Sequence, residues 1–364
     1  MPDRVRVGIV GASWYPDLMH LPSLRNHPHA ELRSICSRTG NSAAELAKKY
    51  GIPRVFTDYR TMIEQGDLDA LIVAAPDELH YAITMHALDA GLHVLCEKPL
   101  AHTAKEACAM YEKATAAGVK HMTYFTYRWI APYRYLHELI DQGYLGRCFE
   151  FNLRYHGDYG RAAEYGWRFD GQRSQGILGD IGSHMIDLAR WNVGDITKVS
   201  AHLATYVARP GAGGAVLDPA NDAAVLALEF VNGAHGVIQV SAVAHVGDRG
   251  QEQQFILHGA EGTLEVDYNF KSTEVRGARQ SEEQLHVLPI PDGLRGHVDA
   301  STSFFSQMFQ AFGTESIGTR LFIDAIIENR PLSPSFYDGW KTQEVLEAAV
   351  ESHRTGRWIT LPPP

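Results

Sequence analysis

The sequence has few cysteines and no long hydrophobic run, and both absences exclude classes of protein. The four cysteines in 364 residues, Cys36, Cys96, Cys108 and Cys148, do not have the spacing of a metal site. We therefore expect reduced, buried thiols in a cytoplasmic protein rather than a disulfide framework. No apolar stretch is long enough to span a bilayer, and the first apolar strand begins near Arg4, so we expect no signal peptide.

An excess of positive charge is also absent. Lysine and arginine number 33 against 43 aspartates and glutamates, which gives a formal net charge of −10. Nucleic-acid backbones are bound by basic surfaces, so nucleic acid is not expected as a partner. The length of 364 residues and the hydrophobic content of 45% fit two ordinary domains of a globular protein that does not enter a membrane.

The first half alternates short apolar strands with helical segments, which predicts a parallel sheet with helices on both faces. The first strand runs over residues 5–10 and leads into a glycine turn, Gly11-Ala12-Ser13-Trp14-Tyr15-Pro16. Glycine here lets the backbone approach a dinucleotide pyrophosphate that rests on a helix N-terminus. The match to G-x-G-x-x-G is incomplete, because Ser13 and Pro16 replace the second and third glycines, and an ordinary turn would also fit.

The end of the second strand bears on the choice of cofactor. NAD sites place an acidic residue there to bind the ribose 2′-hydroxyl, whereas this chain has Ser37-Arg38-Thr39. An arginine flanked by hydroxyls can hold a 2′-phosphate through charge-assisted hydrogen bonds, so we expect NAD(P) with a preference for NADP. The alternative is that Arg38 faces solvent and that NAD binds through other contacts.

A lysine at the end of a strand is the first candidate for chemistry. Residues 92–96 form a short apolar strand that stops at Glu97-Lys98-Pro99. Pro99 cannot continue a ladder and restricts Lys98, so the chain turns at the carboxyl end of the strand, where ligands of parallel sheets lie. The alternative is that Lys98 is an ordinary surface residue.

The second candidate is the motif Gly179-Asp180-Ile181-Gly182-Ser183-His184. On a helix that begins here, Asp180 and His184 share one face, and Asp187 continues it. A carboxylate one turn from an imidazole can orient the ring and tune its pKa, as in an acid–base pair. A capping aspartate and a packed histidine would explain the same pattern. A metal site from Asp180, His184 and His156 lacks a second ligand pair with metal spacing, so we expect no metal.

After residue 146 the pattern changes, and from about residue 197 strands joined by glycine turns such as Asn232-Gly233 predominate. Residues 302–329 and 337–355 predict helices. We expect an α/β protein with an N-terminal Rossmann doubly wound parallel sheet over residues 1–127. A C-terminal α+β domain with a large, mostly antiparallel open sheet follows over residues 128–364, and its last helices can pack back on the first domain.

Three segments together resemble the Gfo/Idh/MocA oxidoreductases, and the resemblance spans the chain. They are Ala75-Pro76-Asp77-Glu78-Leu79-His80, Glu97-Lys98-Pro99 and Thr126-Tyr127-Arg128-Trp129-Ile130-Ala131-Pro132, and the motif around His184 is similar to the family's second-domain motif. The resemblance implies an NAD(P)-dependent dehydrogenase or reductase of a sugar, cyclitol or related polyol. It also implies a cis bond before Pro99 and a homodimer or homotetramer formed through the C-terminal sheet. The altered glycine turn at Ser13 and Pro16 departs from the family's usual form.

The resemblance and the motifs together assign the expected roles. The expected catalytic residues are Lys98, His184 and Asp180, with His184 taking the hydroxyl proton and Lys98 stabilising the alkoxide. The expected cofactor contacts are Gly11, Ser13, Trp14, Tyr15, Ser37, Arg38, Ala75, Pro76, His80, Glu97, Lys98 and Arg128. The expected substrate contacts are Lys98, Tyr127, Trp167, Arg168, Asp180 and His184. A dinucleotide-binding regulator on the same scaffold, or an enzyme that retains its cofactor, is the alternative.

Overall fold

The computed structural model describes residues 4–299 and 301–363, and the chain divides into two compact units. The first comprises residues 1–125, 296–302 and 306–340, and the second comprises residues 126–295, 303–305 and 341–364. The domains expected from the sequence, 1–127 and 128–364, stay a prediction, and their outer limits lie outside the described residues. The units differ from them mainly in residues 306–340, which belong to the first unit.

The first unit contains a six-stranded parallel sheet in the order β3-β2-β1-β4-β5-β6. Its strands are β1 Val5–Val10, β2 Ala30–Cys36, β3 Arg54–Phe56, β4 Ala70–Val73, β5 His93–Cys96 and β6 His121–Thr123. The helices between and after them are α1 Trp14–Leu18, α2 His20–Arg25, α3 Asn41–Tyr50, α4 Tyr59–Gln65, α5 His80–Asp89 and α6 Ala104–Ala117. This strand order is that of the Rossmann sheet, so the predicted fold class is confirmed for this half.

Helices cover both faces of the parallel sheet. All four residues of β4 are buried, as expected for a central parallel strand. Leu71 and Val73 belong to an apolar cluster with α4, α5 and α6. Ile72 lies between them and is also fully buried, so it points to the opposite face. That face is covered by α2 and by the helix Gly318–Ile327, which contact β2, β1 and β5.

The helix predicted after the glycine turn is divided in two. Leu18, Leu21 and Leu24 have the spacing of one side of a single helix, but α1 ends at Leu18 and α2 begins at His20. Pro22 explains the break, because it has no N–H to donate to the carbonyl of Leu18. Only a five-residue helix therefore follows the glycine turn.

The second unit contains a nine-stranded sheet in the order β14-β13-β12-β11-β7-β10-β9-β8-β15. Its strands are β7 Cys148–Gly157, β8 Ile196–Ala204, β9 Ala223–Phe230, β10 His235–Ser241, β11 Gln251–Gly259, β12 Gly262–Asn269, β13 Thr273–Arg279, β14 His286–Val287 and β15 Ile359–Thr360. Neighbouring strands run antiparallel except β7 and β10, which are parallel. The predicted large, mostly antiparallel sheet is therefore confirmed.

One face of the nine-stranded sheet is buried. A row of buried side chains crosses five strands in register, namely Leu226, Ile238, Leu153, Phe255 and Val266. Along β10, exposed and buried residues alternate, so the opposite face is open. The remaining helices of the chain are α7 Ala131–Asp141, α8 Ser183–Val193, α9 Asp292–Arg295, α10 Phe304–Thr314, α11 Gly318–Ile327 and α12 Phe336–Thr355. Helix α8 is almost entirely buried and contacts β7, so it lies on the covered face.

The helix predicted over residues 302–329 is also interrupted. Helix α10 ends at Thr314 and α11 begins at Gly318, whose φ of +55° lies in the left-handed region. A continuous right-handed helix cannot pass through that conformation. Within residues 4–299 and 301–363, no helix has the length and the apolar character needed to cross a membrane.

Candidate functional site

The glycine turn after β1 is held by close backbone contacts within the first unit. Gly11 has a φ of +119°, and a Cβ at this position would lie 2.2 Å from the carbonyl oxygen of Ala74, so only glycine fits. Its N–H donates to the carbonyl of Cys36 over 2.9 Å. Ser13 precedes α1 in an extended conformation, and its side chain makes no capping hydrogen bond. The glycine turn and the exposed Ser13 hydroxyl are therefore better suited to a phosphate than the N-terminus of the five-residue helix α1 is.

The remaining predicted cofactor contacts near this turn differ in exposure. Trp14 is exposed and Tyr15 is half-buried, with their rings edge to face at 5.4 Å. At the end of β2, Arg38 is exposed and Ser37 is partly exposed. The Ser37 hydroxyl lies 3.4 Å from that of Ser42. Residues 37–39 after β2 therefore carry two hydroxyls and a cation. Burial and the nearby Asp58 carboxylate raise the pKa of Cys36, the last residue of β2.

His80, at the start of α5, has a different environment from the one expected. Its side chain is fully buried. The Nδ1 atom lies 2.8 Å from the carbonyl oxygen of Pro99, and Nε2 lies 2.9 Å from the carbonyl oxygen of Ala75. The ring therefore has no polar atom left for the cofactor contact that the sequence predicted. It joins two backbone segments, one after β4 and one after β5.

The Glu97-Lys98-Pro99 turn follows β5 directly. The Glu97 N–H donates to the carbonyl of Val73 over 2.9 Å. Its carboxylate is buried and lies 3.0 Å from Nε2 of His20, whose Nδ1 lies 2.8 Å from the hydroxyl of Thr319. Glu97, predicted as a cofactor contact, thus has a histidine partner inside the unit. The Lys98–Pro99 bond is cis, as the resemblance implied, and the Lys98 side chain is half-buried.

In the second unit, Arg128 forms a buried ion pair. It lies in the short helical turn Thr126–Trp129. Its Nε and Nη2 atoms donate to the two carboxylate oxygens of Asp187 over 2.7 and 2.5 Å. The exposed fractions of the two side chains are 5% and 1%. Arg128 was predicted to contact the cofactor, but its charge is balanced by Asp187 of α8, so it ties this turn to the helix that carries His184.

Replacement of Asp187 by alanine is expected to lower the free energy of unfolding by about 3–5 kcal/mol, because a buried guanidinium would lose its counter-charge. Urea denaturation checks this value. The matched control is Glu229→Ala, which breaks an exposed pair with Lys198 in the same unit and should cost less than about 1 kcal/mol. Equal losses in the two variants would contradict the assignment of the Arg128 pair as a structural contact.

The motif around His184 does not form one regular helix. Residues Leu178–Gly182 form a π-helical turn, and α8 begins at Ser183. Asn221 holds the start of the turn, since its side-chain oxygen accepts from the N–H of Leu178 and its carbonyl accepts from Ile177, both over 2.9 Å. Single π-helical turns within helices are frequent at functional sites. The expectation of a plain α-helical D-x-x-x-H pair is therefore corrected.

Asp180 and His184 have distinct neighbours. The Asp180 carboxylate accepts a hydrogen bond from the Tyr159 hydroxyl over 2.9 Å and lies 3.3 Å from Nε of Arg168. His184 is buried, and its ring packs edge-on against Tyr127 at 4.7 Å between centroids. The carboxylate is thus hydrogen-bonded to a phenol and lies beside a guanidinium.

The predicted substrate contacts Trp167 and Arg168 lie together beside Asp180. The Arg168 guanidinium is 4.5 Å from the centre of the Trp167 ring. Tyr127 and Tyr155 are further phenols of this unit, and burial raises the pKa of both well above the ordinary value. They therefore remain neutral at physiological pH and serve as hydrogen-bonding or packing groups rather than as bases.

The sequence analysis missed Tyr159 and His20, although each contacts a predicted site residue. Tyr159 is 21 residues from Asp180, and His20 is 77 residues from Glu97. The clustering of tyrosines in residues 155–165 was the signal available for Tyr159. Among the described residues, no group of three or more histidines, cysteines or acidic residues could hold a metal ion. The four cysteines are free thiols.

Comparison with protein-family models gives two matches. Residues 5–125 match the GFO_IDH_MocA model, described as an oxidoreductase family with an NAD-binding Rossmann fold. Residues 137–361 match the corresponding C-terminal alpha/beta domain. Both halves of the chain are therefore accounted for by one family.

Individual relatives agree with this result. Levoglucosan dehydrogenase of Pseudarthrobacter phenanthrenivorans is 30% identical over 342 residues, which cover 88% of this chain and 87% of the relative. The NADP(+)-dependent scyllo-inositol 2-dehydrogenase of Bacillus subtilis is 24% identical, over 99% of this chain and 96% of its own length.

Comparison with a solved structure supports the same family. That of levoglucosan dehydrogenase in complex with NADH and levoglucosan superposes with a TM-score of 0.86 at 28% identity, covering 99% of each chain. The two domain matches, together with the glycine turn and the Glu-Lys-Pro turn, show that the chain belongs to the Gfo/Idh/MocA family of oxidoreductases.

Proposed function

We propose that this protein is an NAD(P)-dependent dehydrogenase or reductase that moves a hydride between the nicotinamide and a hydroxyl-bearing carbon of a sugar, cyclitol or related polyol. The observation that carries the proposal is the similarity along nearly the whole chain to a dehydrogenase solved with both NADH and a sugar. The presence of both Lys98 and His184 supports it, since a regulator that only binds dinucleotide has no need of an acid–base group.

The cofactor binds, in this proposal, at the carboxyl ends of the parallel strands. The Gly11 turn and the Ser13 hydroxyl bind the pyrophosphate, and Ser37 and Arg38 bind the adenine-side ribose. The residues fit such a ligand, because Ser13 is exposed beside the glycine turn and residues 37–39 carry two hydroxyls and a cation. The bound nicotinamide supplies the hydride chemistry, and the protein supplies position and charge.

The protein's own groups handle the proton and the developing charge. We assign to His184 the removal of the hydroxyl proton during oxidation and its return during reduction. The ammonium of Lys98 stabilises the negative charge that develops on the reacting oxygen. Asp180, held by Tyr159 and Arg168, accepts hydrogen bonds from neighbouring substrate hydroxyls.

Nicotinamide absorbance at 340 nm during incubation with a panel of sugars and polyols tests the proposal. The panel is run separately with NAD and NADP, and levoglucosan, inositols and glucosides are included. A substrate-dependent signal with either cofactor supports the proposal. If the protein binds dinucleotide and no sugar or polyol changes the absorbance, the regulator becomes the better explanation, unless the as-purified protein carries a bound cofactor.

Arg38 provides the test of cofactor preference. We expect NADP to be favoured, and Arg38→Ala to weaken NADP binding by about tenfold or more, because a charge-assisted bond to the 2′-phosphate is lost. NAD binding should be unchanged. The measurement is the dissociation constant of each reduced cofactor by fluorescence titration. Arg25→Ala, a change at another exposed arginine, is the control. Equal losses for NAD and NADP would contradict the preference.

Assembly and location complete the proposal. We propose a homodimer or homotetramer formed through the open face of the nine-stranded sheet, where Val225 and Val237 are 41% and 36% exposed. Light scattering that gives the mass of one chain would contradict this.

We also propose that the protein works in the cytoplasm, which its four free cysteines favour. Recovery of the native protein from a secreted or periplasmic fraction would argue against this location.

A further inference from the structure

We propose that His80 is a positioning residue that locks the Lys98 turn to the loop after β4, so that the ammonium and the cofactor loop keep a fixed geometry. The inference rests on the role of Lys98 in the proposed function. It differs from the sequence-based expectation, in which His80 itself contacts the cofactor.

The geometry of the ring is the first support. His80 is the first residue of α5 and is fully buried. Its two nitrogens lie 2.8 and 2.9 Å from the carbonyl oxygens of Pro99 and Ala75. These two carbonyls belong to the segments that follow β5 and β4, which are neighbouring strands of the sheet. One side chain thus joins both segments at the carboxyl edge, where ligands of such sheets bind.

The chemistry of the two acceptors is the second support. Carbonyl oxygens only accept hydrogen bonds, so both bonds form together only when both ring nitrogens carry a proton. Burial opposes that charge, whereas the Cys96 sulfur, which is hydrogen-bonded to the ring and favours the charge when it is a thiolate, the Asp77 carboxylate and the Pro99 carbonyl raise the pKa of His80 to about 10. A doubly protonated ring can donate to both carbonyls at once, over 2.8 and 2.9 Å.

A second buried histidine, His20, contacts the residue that precedes Lys98 in the same turn. His20 binds the carboxylate of Glu97 over 3.0 Å, and the Glu97 N–H is bonded to Val73. Lys98 therefore lies between one residue fixed by His20 and another fixed by His80. Its backbone has little freedom, and only its side-chain torsions remain to be set when ligands bind. Small displacements of a catalytic group can lower a rate by about a hundredfold, so loss of the His80 contacts should affect turnover.

The experiment compares His80→Phe, which fills the volume without donors, with His80→Gln, which keeps a donor for one carbonyl. We expect kcat, counted per dinucleotide-binding site, to fall by about tenfold to a hundredfold in His80→Phe and by less in His80→Gln. The Michaelis constant for the sugar should change much less than kcat. Sites are counted by titration with the reduced cofactor, so that loss of folded protein does not enter kcat.

His93→Gln is the matched control. His93 lies at the other end of β5 and is also partly buried, and its Nδ1 accepts from the N–H of Lys120 over 2.8 Å. This variant should lose stability while kcat per site stays within twofold. If His80→Phe also keeps kcat within twofold, the inference is overturned. The same assay includes Lys98→Ala: if that variant is fully active, the proposed function fails, whereas an inactive Lys98→Ala beside an active His80→Phe overturns the inference alone.

A measurement on the unaltered protein covers the case in which neither His80 variant folds. Nitrogen-15 spectra of imidazole groups at pH 8 should contain one slowly exchanging ring with both nitrogens protonated, because the His80 ring is fully buried. The groups that face it are the Cys96 thiol, the Asp77 carboxylate and the two carbonyls. Such a ring supports the inference when it is assigned to His80 and not to His20 or His27, which are also buried and contact carboxylates. A neutral His80 ring at that pH overturns the inference.

Discussion

Replacement of His184 by alanine is expected to lower turnover by about 10²- to 10⁴-fold, the range that a positioned acid–base group supplies. Imidazole is the side chain whose ordinary pKa suits proton transfer near neutrality. His184 is buried at the start of α8 and packs against Tyr127, so its position is defined before substrate arrives. Binding of the reduced cofactor should change by no more than a few-fold, because the parallel sheet is unaltered.

Steady-state kinetics and cofactor titration on the same preparation check this expectation. His286→Ala is the control, because His286 is an exposed histidine on the edge strand β14. A His184→Ala variant with normal turnover would remove the acid–base assignment. A variant that fails to bind the cofactor at all would indicate a folding defect, and His184→Gln would then replace it.

Replacement of Lys98 by alanine is expected to lower turnover by about 10²- to 10³-fold, the usual cost of removing one group that stabilises developing charge. The turn that carries Lys98 is fixed through Glu97 and Pro99, so the substitution removes the ammonium while its backbone keeps these contacts. The Michaelis constant for the sugar should rise less than turnover falls. Lys98→Arg should restore only part of the rate, because a planar guanidinium does not reproduce a compact ammonium.

Lys105→Ala is the matched control for this change, since Lys105 is an exposed lysine on α6 of the same unit. It should leave turnover and cofactor binding unaltered. Equal activity of Lys98→Ala and Lys105→Ala would contradict the assigned role. Together with the His184 variants, this series separates a loss of charge stabilisation from a loss of proton transfer.

Much of the first unit was predictable because buried parallel strands are short apolar runs bounded by glycine and proline. The strands β1 and β5 were recognised in this way, as the apolar runs over residues 5–10 and 92–96. The breaks between α1 and α2 and between α10 and α11 were missed. The first break depends on Pro22 and the second on Gly318. The prediction gave more weight to the helical spacing of the surrounding apolar residues than to these two residues.

The candidate site was predictable only where its residues lie close together in sequence. Lys98 and His184 were predicted from local motifs, and their roles stay predictions. The contacts that fix the neighbouring residues join distant parts of the chain, since His20 and Glu97 are 77 residues apart and Arg128 and Asp187 are 59 residues apart. No local pattern could show that Arg128 is neutralised inside its unit, or that both nitrogens of His80 are occupied. Such contacts depend on tertiary packing and become visible only in the folded chain.

The π-helical turn at Leu178–Gly182 has a consequence for how the spacing between Asp180 and His184 should be understood. A π-helical turn contains one residue more than an α-helical turn, so it acts like a one-residue insertion at the start of α8. The extra residue rotates the side chains on its N-terminal side about the helix axis, relative to the side chains of α8. Chain length at this point, and not only the identity of the side chains, therefore sets the direction in which the Asp180 carboxylate points relative to the imidazole.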